Sequence, residues 1–119
     1  TTPTFKFKVL GRPLKLNYSF ISKYFIQNID KDENLIPTII PNWDHTPRSG
    51  KKGVVFHHST PDLFRKHVRE ALGVLKNKKR KVVFLKSWNE WGEGNYMEPD
   101  LKHGKEYINV LANEIKSSF

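Results

Sequence analysis

Apolar and polar positions alternate from Thr4 to Leu10, with Phe5, Phe7 and Val9 set against Lys6 and Lys8, which is the period of a half-exposed strand. Gly11-Arg12-Pro13 interrupts the pattern and Leu14 and Leu16 resume it, so residues 1–16 are expected to form a hairpin or an extended segment. From Asn17 the period lengthens. Tyr18, Ile21, Tyr24, Phe25 and Ile29 share one helical face, capped by Asn17 or Ser19 and ending near Asn28. The charged loop Asp30-Lys31-Asp32-Glu33-Asn34 leads into a second apolar run, Leu35 to Ile40, read as a buried strand although Pro37 lies within it. Val54-Val55-Phe56 is a short extended piece ending in His57-His58, whose side chains an extended backbone would turn to opposite faces. Ser59 or Thr60 caps the strongest helix, with Pro61 in its first turn and Leu63, Phe64, His67, Val68, Ala71, Leu72 and Leu75 on its apolar face. His67 is read there as a packed histidine. Val82 to Leu85 has the β-branched and aromatic character of a strand buried on both faces, and a last helix, roughly residues 104–117, buries Tyr107, Ile108, Leu111 and Ile115.

Set in order, these elements alternate helix and strand, which is the pattern of a parallel α/β protein. Two strands, near residues 35–40 and 82–86, are expected to be adjacent and parallel. Their following loops then emerge at one end of the sheet, where α/β folds build sites.

Composition adds limits. At 119 residues the chain is one domain at most, and with 37% hydrophobic and 13% aromatic residues it can build a core. There is no cysteine, so disulfides and thiolate metal sites are excluded. No run approaches the ~20 apolar residues of a membrane helix and no signal-like segment opens the chain, so a cytoplasmic location is expected. Lys and Arg number 21 against 12 Asp and Glu, a formal charge of +9. Part of the excess sits in one run, Lys76, Lys78, Lys79, Arg80 and Lys81, which no aromatic residue interleaves. That run reads as a solvated connection between helix and strand, and no nucleic-acid partner is expected.

The chemistry is concentrated after the strands. Trp88-Asn89-Glu90-Trp91-Gly92-Glu93-Gly94-Asn95-Tyr96-Met97-Glu98-Pro99 holds two tryptophans, three carboxylates and two glycines within a dozen positions. Gly92 and Gly94 favour a tight turn that would point Glu90 and Glu93 into one space, with Trp88 and Trp91 as flat apolar walls for a sugar ring. Two carboxyl groups in different surroundings are the minimum equipment for glycoside chemistry. Upstream, Pro41-Asn42-Trp43-Asp44-His45-Thr46-Pro47-Arg48 also follows a strand. There Trp43 would line a subsite, and Asp44 either orients Arg48 or a sugar hydroxyl or makes an internal Asp–Arg pair that holds the loop. The Asp30-Lys31-Asp32 triplet looks like the metal-holding triplet of many glycosyltransferases but follows a helix instead of a strand, so it reads as a polar connection. No metal and no cofactor is expected.

Asn89-Glu90-Trp91-Gly92-Glu93-Gly94 with Glu98-Pro99 resembles the signature of the endo-α-mannosidase family, glycoside hydrolase family 99, and especially its WbsX-like bacterial relatives. The Trp43-Asp44-His45-Thr46-Pro47-Arg48 block resembles the block that precedes it in those relatives, in the same order and at a fitting separation. The similarity runs from about Tyr18 to the end. It implies a partial (β/α)₈ barrel with residues 17–119 as its last β/α units, because whole barrels take ~250 residues. The open sheet edges would then be covered by the rest of the barrel or by a partner chain. It implies Glu93 as the general acid that later returns as base, and Glu90 as the base that takes the proton of the sugar's own 2-hydroxyl. Trp43, Asp44, Arg48, Trp88, Asn89, Trp91, Tyr96 and Glu98 would bind an oligosaccharide or polysaccharide. Gly92 stands where the mannosidases carry His, and Asn95-Tyr96-Met97 replaces the residues that follow in them. The WbsX-like label is also attached to polysaccharide and O-antigen assembly, so a glycosyltransferase is the alternative, ranked lower because no Gly-rich phosphate cradle is present. A non-catalytic glycan-binding remnant is the third reading.

Overall fold

A computed structural model of the chain describes residues 11–119. Its elements are β1 (Leu14–Asn17), α1 (Tyr18–Ile21), β2 (Thr38–Ile39), β3 (Trp43–Asp44), α2 (Thr46–Ser49), β4 (Val54–His57), α3 (Pro61–Leu75), β5 (Phe84–Leu85), β6 (Asn89–Glu90), β7 (Asn95–Tyr96) and α4 (Glu106–Ser118). The result is a mixed α/β fold with no closed barrel among the described residues. β2 and β5 pair in parallel with Thr38 opposite Phe84 and Ile39 opposite Leu85, as the apolar runs predict. β1 and β4 form a second parallel pair, extended by β3, which runs antiparallel to β4. β6 and β7 make a small antiparallel hairpin.

The core lies between the helices and one face of the β2–β5 pair. Thr60 accepts a hydrogen bond from Leu63 N–H at 3.2 Å and starts α3, Pro61 occupies its first turn, and Phe64, Val68, Ala71, Leu72 and Leu75 are all buried. They meet Ile39, Met97, Tyr107 and Val110, with Leu85 and Val83 partly buried against them. His67 belongs to this face, as its position implies. Its Nε2 accepts the Ile40 N–H at 3.0 Å, and burial pushes it down to about 4. α3 and α4 are also tied by charge: Arg69 makes two hydrogen bonds to the Glu114 carboxylate, at 2.8 and 3.1 Å, and holds it below the usual carboxylate range.

Several expectations change. The strand 82–85 is not buried on both faces, since Val83 and Leu85 turn inward while Phe84 is 57% exposed. The helices cover only one side of this pair, so alternate residues face out. The helix expected from Asn17 to Asn28 is broken. Asn17 does cap α1, accepting from Ser19 N–H at 3.1 Å, but a 3₁₀ turn follows at Ser22–Tyr24 and another at Asn28–Lys31. Gln27 and Asp30 cap the second turn reciprocally and restart the chain direction, leaving Tyr24 and Ile29 exposed. In α4, Ile115 is exposed and Glu114 takes the inner position, because Arg65 and Arg69 of α3 face it. The first arm of the expected hairpin, residues 1–10, lies outside the described residues, and Leu14–Asn17 pairs in parallel with β4. His58 has a positive φ of 59°, which leaves the extended path and brings its ring within 3.5 Å of the His57 ring instead of to the opposite face.

The basic run is less solvated than its composition implies. Lys78 is buried and donates to Leu35 O at 2.6 Å, and Lys81 donates to Leu75 O and Lys76 O at 2.7 and 2.8 Å and to Lys78 O. The Lys81 ammonium satisfies carbonyls left open at the end of α3, where cations are favoured, and that of Lys78 ties the run to the chain ahead of β2. Glu33 accepts the Lys79 and Arg80 N–H groups, so the acids of the 30–34 loop are spent on turns.

Candidate functional site

Parallel pairing of β2 and β5 sends both chemical loops out at the same end. Lys86 N–H donates to Ile39 O at 3.0 Å, the last bond of that ladder, and the two chains then diverge into the Trp43 block and the β6–β7 hairpin. Side chains replace the missing ladder. Asn42 accepts the Tyr96 N–H at 2.9 Å and donates to Tyr96 O at 3.2 Å, as a neighbouring strand would. Asn95 is fully buried and donates to Asn42 O at 2.7 Å and Lys86 O at 2.8 Å, tying both loops together. Ser87 donates to Asn95 O at 2.6 Å and accepts the Glu90 N–H at 3.1 Å, which sets the start of the hairpin.

The hairpin tip is a 3₁₀ turn, Trp91–Glu93, closed by Gly94 at φ 51°. A Cβ on Gly94 would lie 2.7 Å from the Asp44 Cβ and 3.0 Å from its N, so a glycine permits the two loops to touch. The predicted tight turn is therefore present, and it brings Glu90 and Glu93 onto one cation. Arg48, at the end of α2, donates from Nη2 to Glu90 Oε1 at 2.8 Å, and its Nη1 is 3.7 Å from Glu93 Oε1. The environments differ: the Glu90 side chain is 41% exposed and that of Glu93 19%. Gly92 makes room for this arrangement, since a Cβ there would meet Arg48 Nη2 at 3.0 Å and Nε at 3.1 Å.

The tryptophans divide. Trp88 is 49% exposed, and its backbone carbonyl accepts from Met97 and Glu98 N–H. Trp91 stacks on Tyr96 with centroids 3.7 Å apart and 13° between planes, and its Nε1 donates to Glu98 Oε1 at 2.8 Å. One face of Trp91 is thus spent on Tyr96, and Glu98 is spent on the indole. Tyr96 in turn donates to Asp100 at 2.9 Å, and burial together with that bond pushes it up to about 12. Asn89 lies exposed in β6, opposite Tyr96.

Asp44 does neither of the things expected with Arg48. Its Oδ1 accepts the Thr46 N–H at 2.9 Å and the Thr46 hydroxyl at 2.5 Å, fixing the first turn of α2, and Arg48 turns to the glutamates instead. Trp43 stacks with His45 at 5.7 Å, and the Lys86 ammonium lies 5.1 Å from the Trp43 ring centre. His45 was not among the expected site residues, yet its Nε2 is 3.8 Å from Glu93 Oε1 and its Nδ1 is 3.0 Å from Ser49 Oγ. Its place between Trp43 and Arg48 was the available signal. Asn42, Ser87 and Asn95 were also missed, because their role is to hold backbone in place. Among the described residues no group of three or more His, Asp or Glu side chains is arranged to hold a metal ion. Nor is any helix there long and apolar enough to cross a membrane.

Comparisons with known proteins point one way. Two proteins called uncharacterized protein WxcX, from two strains of Xanthomonas campestris pv. campestris, B100 and ATCC 33913, are each 34% identical over 84 residues. That alignment covers 67% of this chain and 12% of each relative, so the chain spans a small part of their length. No solved structure gives a significant match. The family model described as glycosyltransferase WbsX matches residues 3–111, nearly the whole chain, and includes both loops of the site. On that match, the chain belongs to the WbsX glycosyltransferase family.

Proposed function

We propose that this chain is part of a carbohydrate-active domain that acts on glycosidic bonds, with Glu93 and Glu90 as its reacting groups. The observation that carries this reading is the pair of carboxylates, unequally exposed, gathered on the Arg48 guanidinium in a loop that also carries two half-exposed tryptophans. The more enclosed Glu93 suits the acid that protonates a leaving oxygen. Glu90, oriented by Arg48, suits the base that takes the proton of a sugar 2-hydroxyl. Trp88, Trp43 and the open edge of Trp91 offer stacking faces, with Asn89 at the rim. Tyr96 and Glu98 support Trp91 and reach the substrate through it. We read β2 and β5, with α3 between them in sequence and packed on one face, as β/α units of a barrel-type domain. Phe84 would then face the barrel interior, covered by further strands or a partner chain.

In a protein of the relatives' length that carries these residues, Glu93→Gln is expected to abolish turnover of substrates with poor leaving groups while sparing activated aryl glycosides. Glu90→Gln is expected to impair both classes, and each loss is about 10²-fold or more. Glycan binding measured in parallel should survive both changes. Full activity in either variant would remove that carboxylate from the mechanism. The name of the matched family favours a second reading, transfer to a sugar hydroxyl instead of to water. The same two carboxylates serve it, and the products decide: a lengthened glycan signals transfer, and a free reducing end signals hydrolysis.

A further inference from the structure

Asp44 and Gly94 also line a second hollow, a pocket of about 290 Å³ that Glu90, Glu93 and Arg48 do not reach. It shares a wall with the carboxylate centre without being part of it. Its size is near the ~300 Å³ lower bound of small-molecule sites, room for about one sugar ring. The end of β4 contributes His57 and His58, and the 100–103 segment contributes Asp100, Lys102 and His103.

The acceptors of this pocket are largely spent. It has two carboxylates: Asp44 accepts the Thr46 N–H and hydroxyl on Oδ1, and Asp100 accepts from the Tyr96 hydroxyl on Oδ2 at 2.9 Å and from His103 N–H on Oδ1 at 2.6 Å. The Ser59 hydroxyl donates to Pro41 O and is 2.7 Å from the Tyr107 hydroxyl. What remains are the imidazoles of His57 and His58, with ring centroids 3.5 Å apart and planes tilted by 32°, each able to donate from a ring N–H, and the Lys102 ammonium, while His103 Nδ1 faces Glu106 at 3.9 Å. Neither of these two imidazoles has a carboxylate partner among the described residues. Burial, then His58 and Lys15, push His57 below its ordinary value, and among the described residues no ion-paired carboxylate compensates a positive charge there. A ligand with negative charge would supply that compensation.

We propose that this pocket is a subsite for a glycosyl unit carrying an anionic substituent, a carboxylate or a phosphate, held beside the bond on which Glu90 and Glu93 act. The adjacency to a reacting bond rests on the reading of those carboxylates given above; the binding preference does not. The test is titration of the chain by NMR with glucuronate, glucose 6-phosphate, glucose and inorganic phosphate. The anionic sugars should bind about tenfold or more tightly than glucose, the worth of one charge-assisted hydrogen bond, and should move the His57 and His58 ring signals. Binding of glucuronate alone identifies a carboxylate, and of the sugar phosphate alone a phosphoryl group. The double variant His58→Asn, Lys102→Ala should lose the preference with the rest of the amide spectrum unchanged, since Asn tolerates the left-handed backbone at position 58. Glu93→Gln should keep the preference whether or not it loses turnover, which separates this proposal from the catalytic one. Equal binding of glucose, binding of inorganic phosphate as tight as that of glucose 6-phosphate, or an undiminished preference in the double variant would overturn it.

Discussion

The α3–α4 layer and the paired loops at the ends of β2 and β5 are held together by different physics. The helices are joined by apolar burial, with Phe64, Val68, Ala71, Leu72 and Leu75 closed over Ile39, Met97, Tyr107 and Val110. The loops are joined by directional bonds from Asn42, Ser87 and Asn95 to backbone groups, and by a contact at Gly94 that has no space for a side chain. Burial is tolerant of detail, whereas the loop network sets two glutamates on one arginine, at 2.8 and 3.7 Å. The comparison teaches that stability and site geometry are separately encoded, and so should respond separately to substitution.

The largest effect is expected in the helix layer. Phe64 is fully buried against Tyr107, with ring centroids 5.4 Å apart, and Phe64→Ala should cost about 3–5 kcal/mol. Urea unfolding followed by tryptophan fluorescence and by circular dichroism would show both regions lost together at a lower midpoint. If the Trp88–Tyr96 loop kept its fluorescence after the helices melted, the loops would fold independently and the comparison would fail.

Next in size is a pH effect confined to the core. His67 resists protonation, because burial moves it from its ordinary value down to about 4. The unfolded chain binds this proton at ~6.5, so stability is full above that pH, falls as pH drops through the window from 6.5 to 4, and is flat below it. The total is on the order of 3 kcal/mol. His57 adds a loss of the same sign, and Glu114, held low by Arg69, adds its own only as pH falls from the ordinary carboxylate range toward its lowered value. His67→Gln should flatten the slope between pH 6.5 and pH 5; an unchanged slope would place the titration elsewhere.

The helix layer was also the more legible of the two in the sequence. A fifteen-residue amphipathic pattern with Thr60-Pro61 at its start repeats one signal several times over, so α3 emerges with its ends and inner face correct. The β2–β5 pairing followed from two short apolar runs, yet their one-sided burial did not, since Phe84 and Leu85 read alike until it is known which faces the helices cover. The segment after Asn17 misled because Tyr18 to Ile29 fits a helical period while Gln27 and Asp30 break it by a reciprocal cap. In the candidate site, Glu90, Glu93 and Arg48, singled out by residue type, do come together. The partnerships did not follow from spacing: Asp44 bonds Thr46 two residues on, and Arg48 reaches Glu90 across 42 positions.

A smaller stability loss is expected where the loops are tied. Asn95→Ala leaves Asn42 O and Lys86 O without their donor in a buried place, which costs about 1–3 kcal/mol. Hydrogen exchange should rise at Glu90 and Tyr96, whose N–H groups belong to this network, while protection in α3 changes little. Equal loss of protection in both regions would mean that the loop bonds carry the stability of the helix layer as well as the geometry of the site.

The smallest effect on stability, and the sharpest separation, belongs to Arg48. Its side chain and that of Glu90 are 54% and 41% exposed, and ion pairs in such surroundings contribute about 0–1 kcal/mol. Arg48→Ala should therefore leave the urea midpoint almost unchanged. The geometry it imposes is another matter, because a planar guanidinium meets Glu90 and Glu93 from different nitrogens and thereby fixes their relative directions. Without it the two carboxylates lose their common partner and repel, and turnover in a protein of the relatives' length should fall chiefly in kcat, with glycan binding retained on the tryptophans. Arg48→Lys preserves the charge but presents a single ammonium that cannot span both carboxylates, so it should restore the positive charge without restoring kcat. Rescue of kcat by lysine would reduce Arg48 to a counter-charge. A large fall in the urea midpoint of Arg48→Ala would show instead that the loop network and the fold's stability are encoded together.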